Sequence, residues 1–292
     1  MYEIRDLNER CHYFECPSRI GIVEIGDGKV CFIDSGNDKS TAKKALRAIK
    51  ERGWELESVY LTHSHADHIG GCKYLREQTG CRIFAEGLEA ALTEYTYMEP
   101  TMLYGGYPMR ELRGKFMVAE PSHAELIDKD RMPNGIRPIA LRGHTPDMTG
   151  YIVDGKIAYI GDCVASLATL EKYGIFYLYD VEAYLDSLNS LDTLDCTVYL
   201  PSHSSPMESL DENVLHNRRK IEEIANKITE FCDTGCVFDE ILAKLFDSYG
   251  LTMTVEQYAL IGSTVRSYLS YLEDLGKVKI TVDNNTIKWQ KS

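Results

Sequence analysis

Val59-Tyr60-Leu61-Thr62-His63-Ser64-His65-Ala66-Asp67-His68 decides how this chain is read. Its first four residues predict a short buried strand. The strand delivers the chain into a hexapeptide that holds three of the eight histidines. In an extended segment alternate side chains point to one side, so His63 and His65 can grip one cation. A turn after His65 lets Asp67 and His68 face a second, with Asp67 at a helix N-terminus, where the helix dipole favours a carboxylate. Imidazoles crowded against a carboxylate have little structural purpose without a cation, and these are transition-metal ligands.

Outward from the hexapeptide, four more residues of the same chemistry follow short β-rich runs: Asp34 after Phe32-Ile33, His144 in Gly143-His144-Thr145-Pro146, Asp162 in Ile160-Gly161-Asp162, and His203 in Pro201-Ser202-His203. Strand ends converging on one edge are where α/β folds build their sites. The spacing predicts a hairpin of Ile20 to Ile25 and Lys29 to Ile33 around Gly26-Asp27-Gly28, a helix from Ser40 to Trp54, and a helix from the hexapeptide to about Gly80. Strands are expected at Arg82 to Ala85, Ile139 to Leu141, Gly150 to Val153, Lys156 to Ile160 and Thr197 to Leu200. Residues 87–137 interrupt this rhythm with Tyr95, Tyr97, Met98, Met102, Tyr104, Tyr107, Met109 and Phe116, and read as an insertion. After about residue 206 the pattern changes to three helices, Glu208 to Phe231, Phe238 to Tyr249 and Val255 to Leu275, and a hairpin about Asp283-Asn284-Asn285. That outline is winged-helix-like.

The 292 residues carry 32 Lys plus Arg against 45 Asp plus Glu, a net charge of -13, with 44% hydrophobic and 26% charged residues. This is an ordinary globular composition with an acidic exterior, long enough for a large core. Acidity disfavours stable binding to nucleic acid or anionic lipid, since those partners need clustered Lys and Arg. No run of about 18 apolar residues predicts a membrane span, and the first thirty residues show no signal-peptide pattern. Nine scattered cysteines without a CxxC pair suit reduced thiols in a cytoplasmic protein. Cys163, beside Asp162, is expected to point away from the site.

The hexapeptide, with Asp34, His144, Asp162 and His203 in that order, resembles the motif set of the metallo-β-lactamase superfamily over about residues 20 to 206. The resemblance implies an α/β, four-layer αββα sandwich spanning 1–206, with 87–137 as a lid-like insertion and 207–292 as a helical, winged-helix-like C-terminal appendage. It also implies two divalent ions, zinc first and Fe or Mn as fits: His63, His65 and His144 would hold one, Asp67, His68 and His203 the other, with Asp162 bridging and Asp34 bracing the His loop. The implied activity is that of a metallo-hydrolase whose metal-activated hydroxide attacks an ester or thioester of a small anionic substrate, with Asp67 orienting the nucleophile and moving a proton. Tyr104 and Tyr107 from the insertion, and Arg218 and Arg219 from His216-Asn217-Arg218-Arg219, are the candidate substrate contacts. The insertion is either a lid or a homodimer interface.

Three alternatives stand beside this reading. One is phosphodiester or RNA cleavage by the same ligand set, and another is a mono-iron persulfide dioxygenase. The third is a DNA-binding metal sensor, which the sequence disfavours: Val255 to Leu275 contains Arg266 as its one basic residue.

Overall fold

Strand residues alternate between hydrophobic clusters, and that alternation stacks the molecule in layers. In Lys29–Ile33, Val30 and Phe32 enter one cluster while Cys31 and Ile33 enter another. In Ile157–Gly161, Ile157 and Tyr159 share the second cluster while Ala158 and Ile160 belong to a third. Both sheets are therefore covered on both faces, which is why their strands read as almost unbroken apolar runs. The computed structural model describes residues 2–292.

The first sheet has seven strands in chain order: β1 (Ile4–Asp6), β2 (Cys11–Phe14), β3 (Ile20–Gly26), β4 (Lys29–Ile33), β5 (Glu55–Tyr60), β6 (Arg82–Ala85) and β7 (Glu125–Leu126). Pairing is antiparallel from β1 to β4 and parallel from β4 to β7. Its outer face is covered by α1 (Lys39–Glu51) and α3 (Cys72–Thr79), which follows the single turn α2 (Ala66–Ile69). The insertion holds α4 (Gly87–Glu94) and α5 (Met98–Tyr104). The second sheet, ordered β11-β10-β9-β8, comprises β8 (Ile136–Ala140), β9 (Thr149–Val153), β10 (Ile157–Gly161) and β11 (Val198–Pro201). Its inner face meets the first sheet through Tyr151, Tyr159 and Leu200 packed on Tyr13, Val23 and Tyr60. Its outer face carries α7 (Val181–Leu191), which follows α6 (Leu167–Tyr173), and then α8 (Asp211–Phe231), α9 (Phe238–Ser248) and α10 (Val255–Asp274). The chain closes on a hairpin, β12 (Val278–Asp283) and β13 (Thr286–Lys291), turned by Asn284 and Asn285 at positive φ. The architecture is the expected αββα sandwich.

Several expectations are refined. The helix expected to run on to Gly80 is broken into α2 and α3, because Gly70 and Gly71 lie against the carbonyls of Asn37 and Ser35, where a Cβ would collide. Strand β8 begins before Pro138 and includes it, paired with Tyr151. A proline is tolerated there because β8 is an edge strand. The insertion also supplies β7 to the first sheet. The C-terminal helices share one continuous cluster with the second sheet and α7: Val214, Ile221, Leu242, Val265 and Leu269 pack with Ile152 and Ala158 of the sheet and Leu188 of α7. No helix among the described residues is long and apolar enough to cross a membrane. All nine cysteines are free, and Cys163 is fully buried in that cluster, where burial pushes its thiol pKa up.

Candidate metal centre

Five strand ends bring the motif residues together. Asp34 follows β4, the hexapeptide follows β5, His144 lies between β8 and β9, Asp162 follows β10, and His203 lies two residues beyond β11. Gly143, at φ +114° and where a Cβ would collide with the Tyr184 backbone, permits the tight loop that presents His144.

His63 Nε2 and His144 Nε2 each lie 3.1 Å from His65 Nδ1. Such nitrogens facing one another with so little space between them form a chelating trio. A second group surrounds Asp162: its Oδ2 is 3.2 Å from His203 Nε2 and 3.6 Å from His68 Nε2, and Asp67 Oδ2 is 3.2 Å from the same His203 nitrogen. Within each of the sets His63, His65, His144 and Asp67, His68, His203, one donor atom per residue lies within 4.8 Å of the others, and His63, His68 and Asp162 form a third set between them. The donors fit divalent cations on a further ground: Asp162 Oδ1 is buried without a hydrogen-bond partner, which is costly unless a cation occupies that side.

Charge is arranged to match. Burial lowers the pKa of His63, His65 (to about 3) and His144, each of which also sits beside other imidazoles, so these rings are neutral, the form that ligates. The Asp162 carboxylate raises His203 to about 10 against the effect of burial. For His68, burial pulls downward and is overcome by Asp67, Asp162 and Asp34. Burial alone would raise Asp67 and Asp162; the His68 and His203 charges hold both low.

Bracing residues fix this geometry. Asp34 accepts from the Thr62 amide at 2.7 Å, the Thr62 hydroxyl at 2.8 Å and His68 Nδ1 at 2.8 Å. Glu89, on α4 and fully buried, accepts from the amide and hydroxyl of Ser64 and from the Asp147 amide, tying the hexapeptide to the loop after His144. Nothing in the sequence around Glu89 distinguished it from a surface helix glutamate; its lack of a Lys or Arg partner three or four residues away was the one available hint.

A cavity of about 520 Å³ opens on His144, Asp162 and His203, walled by Val164, Ala168 and Phe176, with Lys172 as the one lysine or arginine in its lining. The expected substrate contacts do not line that cavity. Tyr104 and Tyr107 are 40% and 75% exposed, and the Tyr107 hydroxyl is engaged by Arg113. Arg218 donates to Asp192 and Asn189. Arg219 is exposed and does not line the cavity. Their neighbour Asn217 matters instead. Fully buried, it donates to the Ala165 and Asn213 carbonyls and accepts from the Ala165 amide and the Tyr184 hydroxyl, pinning α8 to the segment that follows Asp162. Replacing Asn217 with Ala strands several buried groups at about 1–3 kcal/mol each, so urea unfolding should report a loss of at least about 2 kcal/mol.

Residues 13–203 match the family model described as the metallo-beta-lactamase superfamily. The chain belongs to that superfamily. A hydroxyacylglutathione hydrolase of Cereibacter sphaeroides is 42% identical over 67 residues, 23% of this chain and 25% of that protein. An atrochrysone carboxyl ACP thioesterase of Aspergillus fumigatus is 25% identical over 187 residues, 62% of this chain and 49% of that one. The chain therefore spans a quarter and about half of the lengths of these two curated relatives. The crystal structure of a beta-lactamase domain protein from Burkholderia ambifaria superposes on all of this chain and 94% of its own with a TM-score of 0.74 at 16% identity, a likeness of fold. That superposition includes the C-terminal helices.

Proposed function

We propose that this superfamily member is a metal-dependent hydrolase of ester or thioester bonds in a small anionic substrate, with two divalent ions held by His63, His65, His144 and by Asp67, His68, His203, and with Asp162 between them. The observation that carries the reading is Asp162 Oδ2 set among the converging donors, 3.2 Å from His203 Nε2, 3.6 Å from His68 Nε2 and 3.7 Å from His144 Nε2, while the other Asp162 oxygen is buried without a partner. Bound there, a pair of ions supplies a water of lowered pKa and a Lewis acid for the carbonyl oxygen.

The chain's own residues do the rest. Asp67 is the more open carboxylate, its side chain 42% exposed against 16% for Asp162, so Asp67 is the one that can hand a proton to a leaving group. Val164, Ala168 and Phe176 hold an acyl portion and exclude water, while Lys172 meets an anionic end. An acyl substrate is also in keeping with the names of the two curated relatives, a hydrolase of hydroxyacylglutathione and an ACP thioesterase. A polymeric phosphodiester would call for more than one cation along the wall. A DNA-reading role for α10 is disfavoured by Arg266, whose guanidinium stacks 3.8 Å from the Phe238 ring centroid. Zinc, iron and manganese all suit the donors.

The test is a panel of an aryl ester, a thioester and bis-nitrophenyl phosphate, each assayed with Zn, Mn and Fe after metal analysis. About two ions per chain are expected, with turnover of the esters exceeding that of the phosphodiester and abolished by a chelator. A protein that takes up no metal, or that prefers the phosphodiester, would sink the proposal.

A further inference from the structure

Each of the five clustered histidines has one ring nitrogen facing the cluster and one facing away, and the outward nitrogen decides which tautomer the ring adopts. Four of the five are visibly tied. His68 Nδ1 donates to Asp34 Oδ2 at 2.8 Å, His144 Nδ1 to the Tyr177 carbonyl at 3.1 Å, and His203 Nδ1 to the Pro17 carbonyl at 3.1 Å. His63 Nδ1 donates to Thr62 Oγ1 at 3.0 Å, because the Thr62 hydrogen is already committed to Asp34. All four thereby turn Nε2 inward.

His65 is reversed. Its Nδ1 faces the cluster, and its Nε2 faces Glu99 Oε1 at 3.9 Å. Glu99 sits in the first turn of α5 with its side chain 14% exposed, and its carboxyl makes no hydrogen bond among the described residues. A histidine without a fixed tautomer thus faces an acceptor without a donor.

We propose that Glu99 is a positioning residue that keeps the His65 proton on Nε2, so that Nδ1 presents a lone pair to a metal ion beside His63 and His144. The proposal rests on the dinuclear reading above. A competitor makes such a device necessary: with its proton on Nδ1, His65 would donate to the lone pair of His63 or His144, each only 3.1 Å away, and a proton would fill the place of the ion. Oε1 is an acceptor whether the carboxyl is ionised or carries a proton on its other oxygen. At 3.9 Å the pair is too long for a direct hydrogen bond and suits electrostatic orientation or one bridging water. The position of Glu99 is set from outside the catalytic sheets, since Leu103 of α5 packs with Leu112 and with Ala259 of α10. Insertion and C-terminal helix together hold a carboxyl against a metal ligand.

The experiment compares wild type, Glu99→Gln, which keeps a carbonyl acceptor, and Glu99→Ala, which removes it. Long-range proton–nitrogen NMR of the metal-free proteins should place the His65 proton on Nε2 in wild type and Glu99→Gln and move it largely to Nδ1 in Glu99→Ala. Zinc titration against a chromophoric chelator should show one of two sites weakened about 10- to 100-fold in Glu99→Ala, with Glu99→Gln close to wild type. Should Glu99→Ala fail to fold, Glu99→Met keeps the length of the side chain and carries the same expectation. An unchanged tautomer and unchanged zinc affinity would overturn the proposal. A wild-type chain that binds no zinc would instead defeat the metal reading, while the tautomer of the metal-free protein would still decide the role of Glu99.

Discussion

Asp67→Asn should keep its metal ions and lose about 10²- to 10⁴-fold in kcat/KM, the range that a positioned acid or base contributes. Asn presents an oxygen in the place of Oδ2, so the set Asp67, His68, His203 keeps three donors. What disappears is the anion. An amide cannot accept a proton and return it, and Asp162, its side chain 16% exposed against 42% for Asp67, is too enclosed to take over that work. Metal analysis beside steady-state kinetics checks the pair of outcomes. Loss of metal together with activity would make Asp67 a ligand and no more; full activity with metal retained would remove it from the reaction.

Much of this site was legible from side-chain chemistry along the chain, and the reason is local. His63, His65, Asp67 and His68 lie within six residues, and the other candidate ligands sit just past apolar runs whose strand character is visible on its own. The layering was legible too, since runs such as Val30 to Ile33 and Tyr151 to Val153 are buried on both faces. What escaped the sequence was the set of long-range polar ties. Glu89 meets Ser64 25 residues away, and Glu99 meets His65 across the same insertion; a glutamate in an aromatic-rich stretch looks the same whether it points outward or back toward a histidine. Arg218 and Asn217 make the point in reverse. The arginines drew notice as an anion contact because of their charge, yet α8 turns Arg218 toward Asp192 and buries the neutral Asn217 against the segment after Asp162. Helical phase, which a residue's type does not reveal, chose between neighbours.

Asp34→Ala is expected to damage fold and metal centre together. Asp34 is 1% exposed and holds φ +64°, a conformation that aspartate tolerates better than most residues. Its carboxylate collects three donors, two from Thr62 and one from His68, the last at 2.8 Å between side chains that are almost wholly buried. Removing one partner of a buried pair costs about 3–5 kcal/mol, and chemical denaturation in the presence of a chelator should show a loss of that size. The second effect follows from hydrogen-bond direction. Once Asp34 is gone, the Thr62 hydroxyl is free to donate to His63 Nδ1, which forces the His63 proton onto Nε2, the atom turned toward His65. His68 loses the acceptor that turns its Nε2 toward the cluster. One substitution therefore spoils a ligand in each trio, and both zinc affinities should fall by about 10- to 100-fold. Asp34→Asn separates stability from metal binding, because its carbonyl can still serve the Thr62 amide while its NH2 group, in the place of Oδ2, can accept from neither the Thr62 hydroxyl nor His68: stability should recover in part, and both sites should stay weak. Zinc affinity unchanged from wild type at both sites in Asp34→Ala would show that the histidine tautomers are set by something other than this carboxylate.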